Sequence, residues 1–476
     1  MQEPIMNIIL IISDSLRRDH LGCYGNSGMR TPHLDRLANR SIVFDQCYPA
    51  SYPTIPMRSD VLTGKYDFTY LGWAPLPASE YTLPQLLSSE TRYYTAGIAD
   101  TPFYVRNGYG YDRGFHDFIW NRGQRPGLER DDVAQAWRYE EDMFAPKSFR
   151  MAERWVEKHY KDPFFLLVDT WDPHEPWDAP AHYVEMYMPN YDGQPSPYPC
   201  YWYWKEAGTT QAEIDLAHAH YCAEVTMVDR SIGRLLERLE SLDLMKNTAI
   251  IFTADHGFYF GEHERFGKGM LKSEHGYLAG HQHIGPKLVP IFRSPSTGKV
   301  SPGEGRWQRS ALYNEVTRVP LIIYLPDAEP RRIDGLANIP DLMPTVLDLA
   351  GVPVPQIVQA KSLKPLLIGQ SSTVRDFLVT SWPLSNPGQR IRVVDDYERR
   401  MEAWQPSSIT DGRYSLLYAA KGEPVELYDT ATDPKQETNI IATNEQLALE
   451  LHRRFIDLLE EVDTPDVLLE PRRELQ

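Results

Sequence analysis

The sequence predicts an α/β protein built on a mostly parallel sheet with helices on both faces, followed by a smaller α+β subdomain. Three observations carry that expectation. Residues 7–12, 164–168, 249–253 and 320–324 are near-continuous apolar runs, the pattern of strands buried on both faces. The segments between them have helical periodicity, so strands and helices alternate. At 476 residues the chain also exceeds the size at which one core stops growing.

The first run, Ile8-Ile9-Leu10-Ile11-Ile12, is too short for a membrane span and has neither a basic leader nor a small-residue cleavage site. It is expected to be a buried strand, and a cytoplasmic location is expected for the chain. In residues 223–242, Val225, Val228, Ile232, Leu235, Leu236 and Leu239 form one stripe, which predicts a helix. Residues 269–309 have no clear period and are rich in Gly, Pro and His. A structureless stretch of that length exceeds the usual limit of about 12–15 residues, so it is expected to be a functional insertion or mobile. A boundary near residues 369–374 divides the chain into a larger unit, 1–372, and a C-terminal unit, 373–476. The latter holds hairpin-like pieces at 413–418 and 425–428 and an amphipathic helix near 445–459.

The net charge of −17 disfavours nucleic acid and anionic membranes as partners. It does not exclude a small anionic substrate, since clustered cations and a metal reverse the local sign. Cys23, Cys47, Cys200 and Cys222 are too scattered for a disulfide framework or a zinc cluster and are expected to be reduced. The sequence leaves homo-oligomerisation open.

The candidate chemical groups mostly follow the apolar runs, where ligands of open α/β sheets gather. Asp14 follows the first run, placed for a hard or borderline cation; taken alone, a turn or helix-cap role explains it better. Asp255 and His256 follow the run at 249–253, where a carboxylate and an imidazole can share one ion and Gly257 lets the chain turn away. In Pro53-Thr54-Ile55-Pro56-Met57-Arg58, prolines precede a helix whose start, with a hydroxyl and an arginine four residues on, forms an anion site. His174 and Lys268 lie downstream of strands and could protonate a leaving group or neutralise charge. Each alone would pass for an ordinary surface or satisfied polar residue. His275, His281 and His283 in the insertion are expected to decorate a solvated loop, with a second metal or a lid as the alternatives.

These segments together resemble the sulfatase family of the alkaline-phosphatase superfamily. The matching text includes Asn7–Asp14, Leu21-Gly22-Cys23-Tyr24-Gly25, Thr31-Pro32-His33-Leu34-Asp35, Leu62-Thr63-Gly64-Lys65-Tyr66 and Pro173-His174-Glu175-Pro176. It continues through Val228-Asp229, Asp255-His256-Gly257, Pro340-Asp341 and Glu426-Leu427-Tyr428-Asp429 in the family's order. The resemblance implies a large mixed α/β sandwich with a small C-terminal antiparallel sheet. It also implies Asp14, Thr54, Asp255 and His256 around one divalent ion (Mn²⁺, Zn²⁺ or Ca²⁺), Arg58 and Lys268 holding the transferred group, and His174 aiding the leaving group.

Three positions depart from the family pattern. Thr54 stands where the family carries a Cys or Ser that is oxidised to the aldehyde formylglycine, and oxidation of a secondary alcohol would give a ketone instead. Ser15 replaces a metal-binding aspartate. Ala99-Asp100-Thr101-Pro102 replaces a Gly-Lys-Trp-His element. A hydrated aldehyde has two hydroxyls, one to attack and one to expel the bound sulfate, whereas threonine has one. The expectation is therefore hydrolysis or transfer at a sulfate ester, phosphodiester or phosphonate monoester through Thr54, with phosphoryl chemistry favoured. The alternatives are a sulfuric ester hydrolase in the strict sense and, given Ser15 and Pro102, an inert anion-binding member.

Overall fold

The structure is a computed structural model that describes residues 5–475, apart from 102–108, 122–138, 285–286, 304–305, 309, 385–389, 393–397, 401–405 and 422–423. Pro102 falls outside the described residues. All four apolar runs are strands. Asn7–Ser13 (β1), Ile42–Tyr48 (β2), Tyr94–Ala99 (β3), Asp117–Trp120 (β4), Phe164–Thr170 (β5), Thr248–Ala254 (β6), Val319–Tyr324 (β7) and Arg331–Ile333 (β8) form one sheet in the order β8-β2-β7-β6-β1-β5-β3-β4. A short strand, Ala337–Asn338, extends it beside β2. The sheet is mixed: β7 runs antiparallel to β2 and β6, and the other pairings are parallel.

Every residue of β1, β5, β6 and β7 is buried, which requires cover on both faces. Two groups of helices supply it. One contains Phe144–His159 and Gln211–Ser241, packed on each other; the other contains Thr54–Thr63 and Leu342–Ala350. The long helix begins twelve residues before the predicted stripe, at a capping box in which Thr210 Oγ1 receives the Glu213 N–H. That first part is half polar, so periodicity alone hides it.

The segment without a clear period, expected to be a functional insertion or mobile, carries regular structure. It contains the strands Met270–Lys272, Tyr277–Ile284, Lys287–Arg293, Val300–Pro302 and Arg306–Gln308, and the middle three form an antiparallel sheet. Its antiparallel strands are held by pairing with one another, which no helical period in the segment reveals. His275 is exposed, and His281 and His283 lie on the strand Tyr277–Ile284; their side chains fall outside the described residues.

Toward the C-terminus, Leu378–Ser381, Ser407–Thr410, Tyr414–Tyr418 and Glu426–Asp429 form a four-stranded antiparallel sheet. The amphipathic helix Glu445–Glu461 buries Leu451, Phe455 and Leu459 in a core shared with Leu416 and Leu427. This small sheet also grips the chain just before Thr54. The Tyr52 N–H donates to Ser381 O and the Ser381 N–H to Ala50 O, both at 2.8 Å. Among the described residues no helix is long and apolar enough to cross a membrane.

Candidate active site and metal centre

The candidate residues meet at the carboxyl ends of the parallel strands. Asp14 directly follows β1, Asp255 follows β6, and Asp169 is the penultimate residue of β5. Ligand-facing carboxylates collect there because the strands end while helices and loops continue around the crevice. Ser15, at φ 59°, folds the chain back so that its N–H donates to Asp255 Oδ1 at 2.8 Å and its hydroxyl to Asp14 Oδ1 at 2.8 Å. Ser15 thus braces the two carboxylates.

Thr54 begins the helix Thr54–Thr63 rather than preceding it. Its hydroxyl is buried and lies 3.4 Å from His256 Nε2. The placement rests on Tyr52, which packs edge-on to Trp382 at 4.6 Å and donates its hydroxyl to Lys268 O at 2.7 Å. The other nitrogen of His256, Nδ1, is 3.0 Å from Gly257 O. A carbonyl only accepts, so Nδ1 carries the proton and Nε2 presents its lone pair toward Thr54 and Asp255 Oδ2. Burial pushes His256 down to about 3, against the pull of Asp255, which keeps the imidazole neutral. Gly257 matters through close approach: a Cβ there would sit 1.9 Å from Glu315 O.

Arg58 lies one turn along the helix from Thr54 and is sealed from solvent. Its Nη1 meets Asp14 Oδ2 at 3.0 Å and Asp255 Oδ2, while Nε and Nη2 pair with the two oxygens of Asp169. The guanidinium is therefore engaged by three carboxylates, one of which, Asp169, sequence reasoning missed. The rule that singled out Asp14, a carboxylate at the end of an apolar run, would have found it.

Lys268 Nζ donates to Ser15 Oγ at 3.2 Å and lies 3.9 Å from both Asp14 Oδ1 and Glu175 Oε2. His174 stacks on Trp171 with ring centroids 3.8 Å apart, and its Nδ1 faces Glu175 Oε2 at 3.1 Å. Burial and the Lys268 charge hold His174 well below the usual imidazole range. Burial raises Glu175, which also receives the Tyr201 hydroxyl. Asp100 and Thr101 are support: Asp100 accepts from Ser148 at 2.7 Å, and Thr101 donates to Asp169 at 2.9 Å.

Asp14, Asp255 and His256 each offer a ligand atom within 4.8 Å of the others, and all three are buried. Burial and the neighbouring Asp255 push Asp14 well above the usual carboxylate range. Asp255, despite burial, is drawn below it by His256 and Arg58. Among the described residues, buried Asp14 Oδ2 has the Arg58 ion pair at 3.0 Å and no further hydrogen-bond donor. Two facing buried carboxylates and a lone-pair imidazole fit a divalent cation of the oxygen- and nitrogen-binding kind.

The Sulfatase family model matches residues 6–352, well over half of the chain, and a model described as N-sulphoglucosamine sulphohydrolase, C-terminal, matches residues 303–461. The chain belongs to the sulfatase family. This sulfatase-family member is accordingly an ester hydrolase. It is 24% identical to the ulvan-active sulfatase of Formosa agariphila over 97% of this chain and 83% of that one. It is 25% identical to an arylsulfatase of Clostridium perfringens over 92% and 91%. Its fold also matches a phosphonate monoester hydrolase of Agrobacterium radiobacter with a TM-score of 0.69 at 19% identity, covering 97% of each chain. Sulfatase-family enzymes are metal-dependent, and Asp14, Asp255 and His256 are a group in this one suited to an ion.

Proposed function

We propose that this sulfatase-family enzyme hydrolyses small anionic esters through Thr54, with phosphodiesters and phosphonate monoesters favoured over sulfate esters. The observation that carries this reading is the buried Thr54 hydroxyl, 3.4 Å from His256 Nε2 at the start of a helix and beside two carboxylates. Thr54 occupies the position of the formylglycine precursor in the Cys-x-Pro-x-Arg pattern but cannot become an aldehyde. Asp14, Asp255 and His256 would hold the divalent ion, with the Thr54 hydroxyl as a further ligand. That ion would supply Lewis acidity, which lowers the pKa of a neighbouring hydroxyl and neutralises oxyanion charge.

The helix start and Lys268 orient the anionic ester, and in-line attack forms the bond from Thr54 Oγ1 to phosphorus as the bond to the leaving oxygen breaks. The hydroxyl gives up one proton and the leaving alcohol takes one up, so the step is proton-neutral overall. Water then cleaves the Thr54 ester and restores the hydroxyl. His174 serves best here as an acceptor. Its Nδ1 faces the Glu175 carboxylate and burial keeps the ring neutral, which leaves the lone pair on Nε2. Arg58, engaged by three carboxylates, sets the charge of the pocket and presents only what remains to substrate.

A strict sulfatase is the second reading, favoured by the curated relatives, which are named as sulfatases. Turnover of matched aryl phosphodiesters, phosphonates and sulfates by wild type and Thr54→Ala separates the cases. The proposal expects phosphoryl esters to react fastest and the variant to be inactive. Full activity in Thr54→Ala, or a clear sulfate preference, refutes it.

A further inference from the structure

Away from Asp14, Asp255 and His256, a second and chemically different set of donors converges. His218 and Cys222 lie four residues apart on the helix Gln211–Ser241 and so project from one face. His20, at the end of the turn Arg18–His20, reaches them from the segment that follows the Asp14 loop. The Nε2 atoms of His20 and His218 are 2.7 Å apart, and Cys222 Sγ is 3.6 Å from His218 Nε2. One ligand atom from each of the three residues lies within 4.8 Å of the others.

The surroundings suit a bound cation. His20 Nδ1 lies 2.9 Å from Asp19 Oδ1, and Arg17 holds Asp19 through Nε at 2.9 Å and Nη2 at 2.7 Å. A carboxylate on one ring nitrogen fixes the tautomer and turns the other, Nε2, into a ligand. Burial and the neighbouring His20 hold His218 down at about 4, so its ring is neutral. His20 and Cys222 are buried, whereas His218 is half-buried and opens toward solvent. Two imidazoles alone would share one proton across the 2.7 Å gap. A thiol aimed at the same nitrogen adds a third donor that such a hydrogen bond does not use.

We propose that His20, His218 and Cys222 form a second metal site, selective for a borderline-soft divalent ion such as Zn²⁺, with one coordination position left to water. In tetrahedral zinc sites, nitrogen and sulfur ligands stand about 3.6 Å apart and two nitrogens about 3.3 Å. The Cys222–His218 spacing already matches, and the imidazoles need to part by roughly half an ångström. Binding releases the Cys222 proton, since the thiolate is the ligand. Tyr221, between the two helix ligands, receives the Arg17 N–H at 2.8 Å and donates to Ser15 O at 2.8 Å. An ion joining His20 to this helix therefore braces the turn that carries Asp14.

The test uses full-length protein with reduced thiols, stripped by chelator and titrated with Co²⁺, whose near-ultraviolet thiolate charge-transfer band reports a Cys ligand. The expected result is one such band, displaced by Zn²⁺, retained in Asp255→Asn and lost in Cys222→Ser and in His218→Ala. Circular dichroism of the stripped proteins verifies that the variants are folded. Asp19→Asn, which leaves the ligands in place, is expected to weaken Zn²⁺ binding by about 10–100-fold. No thiolate band in the wild type, a band that persists in Cys222→Ser, or Zn²⁺ affinity unchanged in Asp19→Asn overturns the proposal. Because Asp255→Asn removes a carboxylate charge only from the first site, failure of one site is distinguishable from failure of the other.

Discussion

Arg58 and Asp169 form a two-point ion pair, with Nη2 2.8 Å from Oδ1 and Nε 3.1 Å from Oδ2, and both side chains are closed to solvent. The fork fixes the plane of the guanidinium, so that Nη1 points at Asp14 and Asp255. Removing Asp169 leaves the buried cation with a partner missing on one side. Asp169→Ala is expected to cost about 3–5 kcal/mol in urea unfolding and to lower turnover. A loss below about 1 kcal/mol would show that Asp14 and Asp255 hold Arg58 unaided.

On the proposed reading the hydroxyl of Thr54, and not its methyl group, is the reacting part. Thr54→Ser should keep activity within about tenfold, whereas Thr54→Ala should lose at least about a thousandfold. Steady-state rates on the best aryl phosphoryl ester measure both. Equal losses in the two variants would argue for a packing role.

The side chain at this position should also set the chemistry. Thr54→Cys, expressed with the cellular machinery that makes formylglycine, is expected to acquire the aldehyde, visible by mass spectrometry, and to gain sulfate-ester turnover relative to phosphoryl turnover. An aldehyde-bearing variant whose substrate preference equals that of the wild type would sever the link between nucleophile and ester class.

Ion removal should affect stability as well as rate. Without a cation, Asp14 and Asp255 repel each other in a buried site. Chelation is expected to abolish turnover and lower the thermal midpoint. At an ion concentration of a thousand times Kd the stabilisation amounts to about 4 kcal/mol. Asp255→Asn should be insensitive to added ion in the activity assay.

A pH dependence follows from Asp229, on the helix Gln211–Ser241. It accepts the N–H groups of His33 (3.2 Å) and Leu34 (2.7 Å), which lie in the first turn of the helix Pro32–Ala38, and burial raises it from 3.8 to about 7. The folded chain keeps a proton that the unfolded chain releases. This contribution to stability is full below about pH 4 and is lost as pH rises toward 7. Asp229→Asn, which retains an acceptor, should therefore gain stability relative to wild type between pH 4 and 7, and denaturant unfolding at several pH values gives the difference. A flat difference would place the Asp229 pKa near its ordinary value.

The central strands were legible because burial on both faces leaves a one-dimensional mark, a continuous apolar run, and the same runs pointed to Asp14 and Asp255 at their ends. The insertion was not legible. Its strands Tyr277–Ile284 and Lys287–Arg293 stabilise each other by pairing, and a strand's partner leaves no periodicity in either segment. The long helix was read only in part because its first twelve residues carry a weaker apolar stripe.

By itself the sequence determined the fold class and the types of residue that line the site, since both follow from local pattern and motif order. Only the tertiary structure decided that Asp169 reaches Arg58 across 111 positions, that Ser15 braces two carboxylates, and that His20 meets His218 and Cys222. The physical reason is that such contacts depend on how strands are ordered in the sheet and where loops return. Ion pairs and ligand clusters act through distance in space, which separation along the chain does not encode.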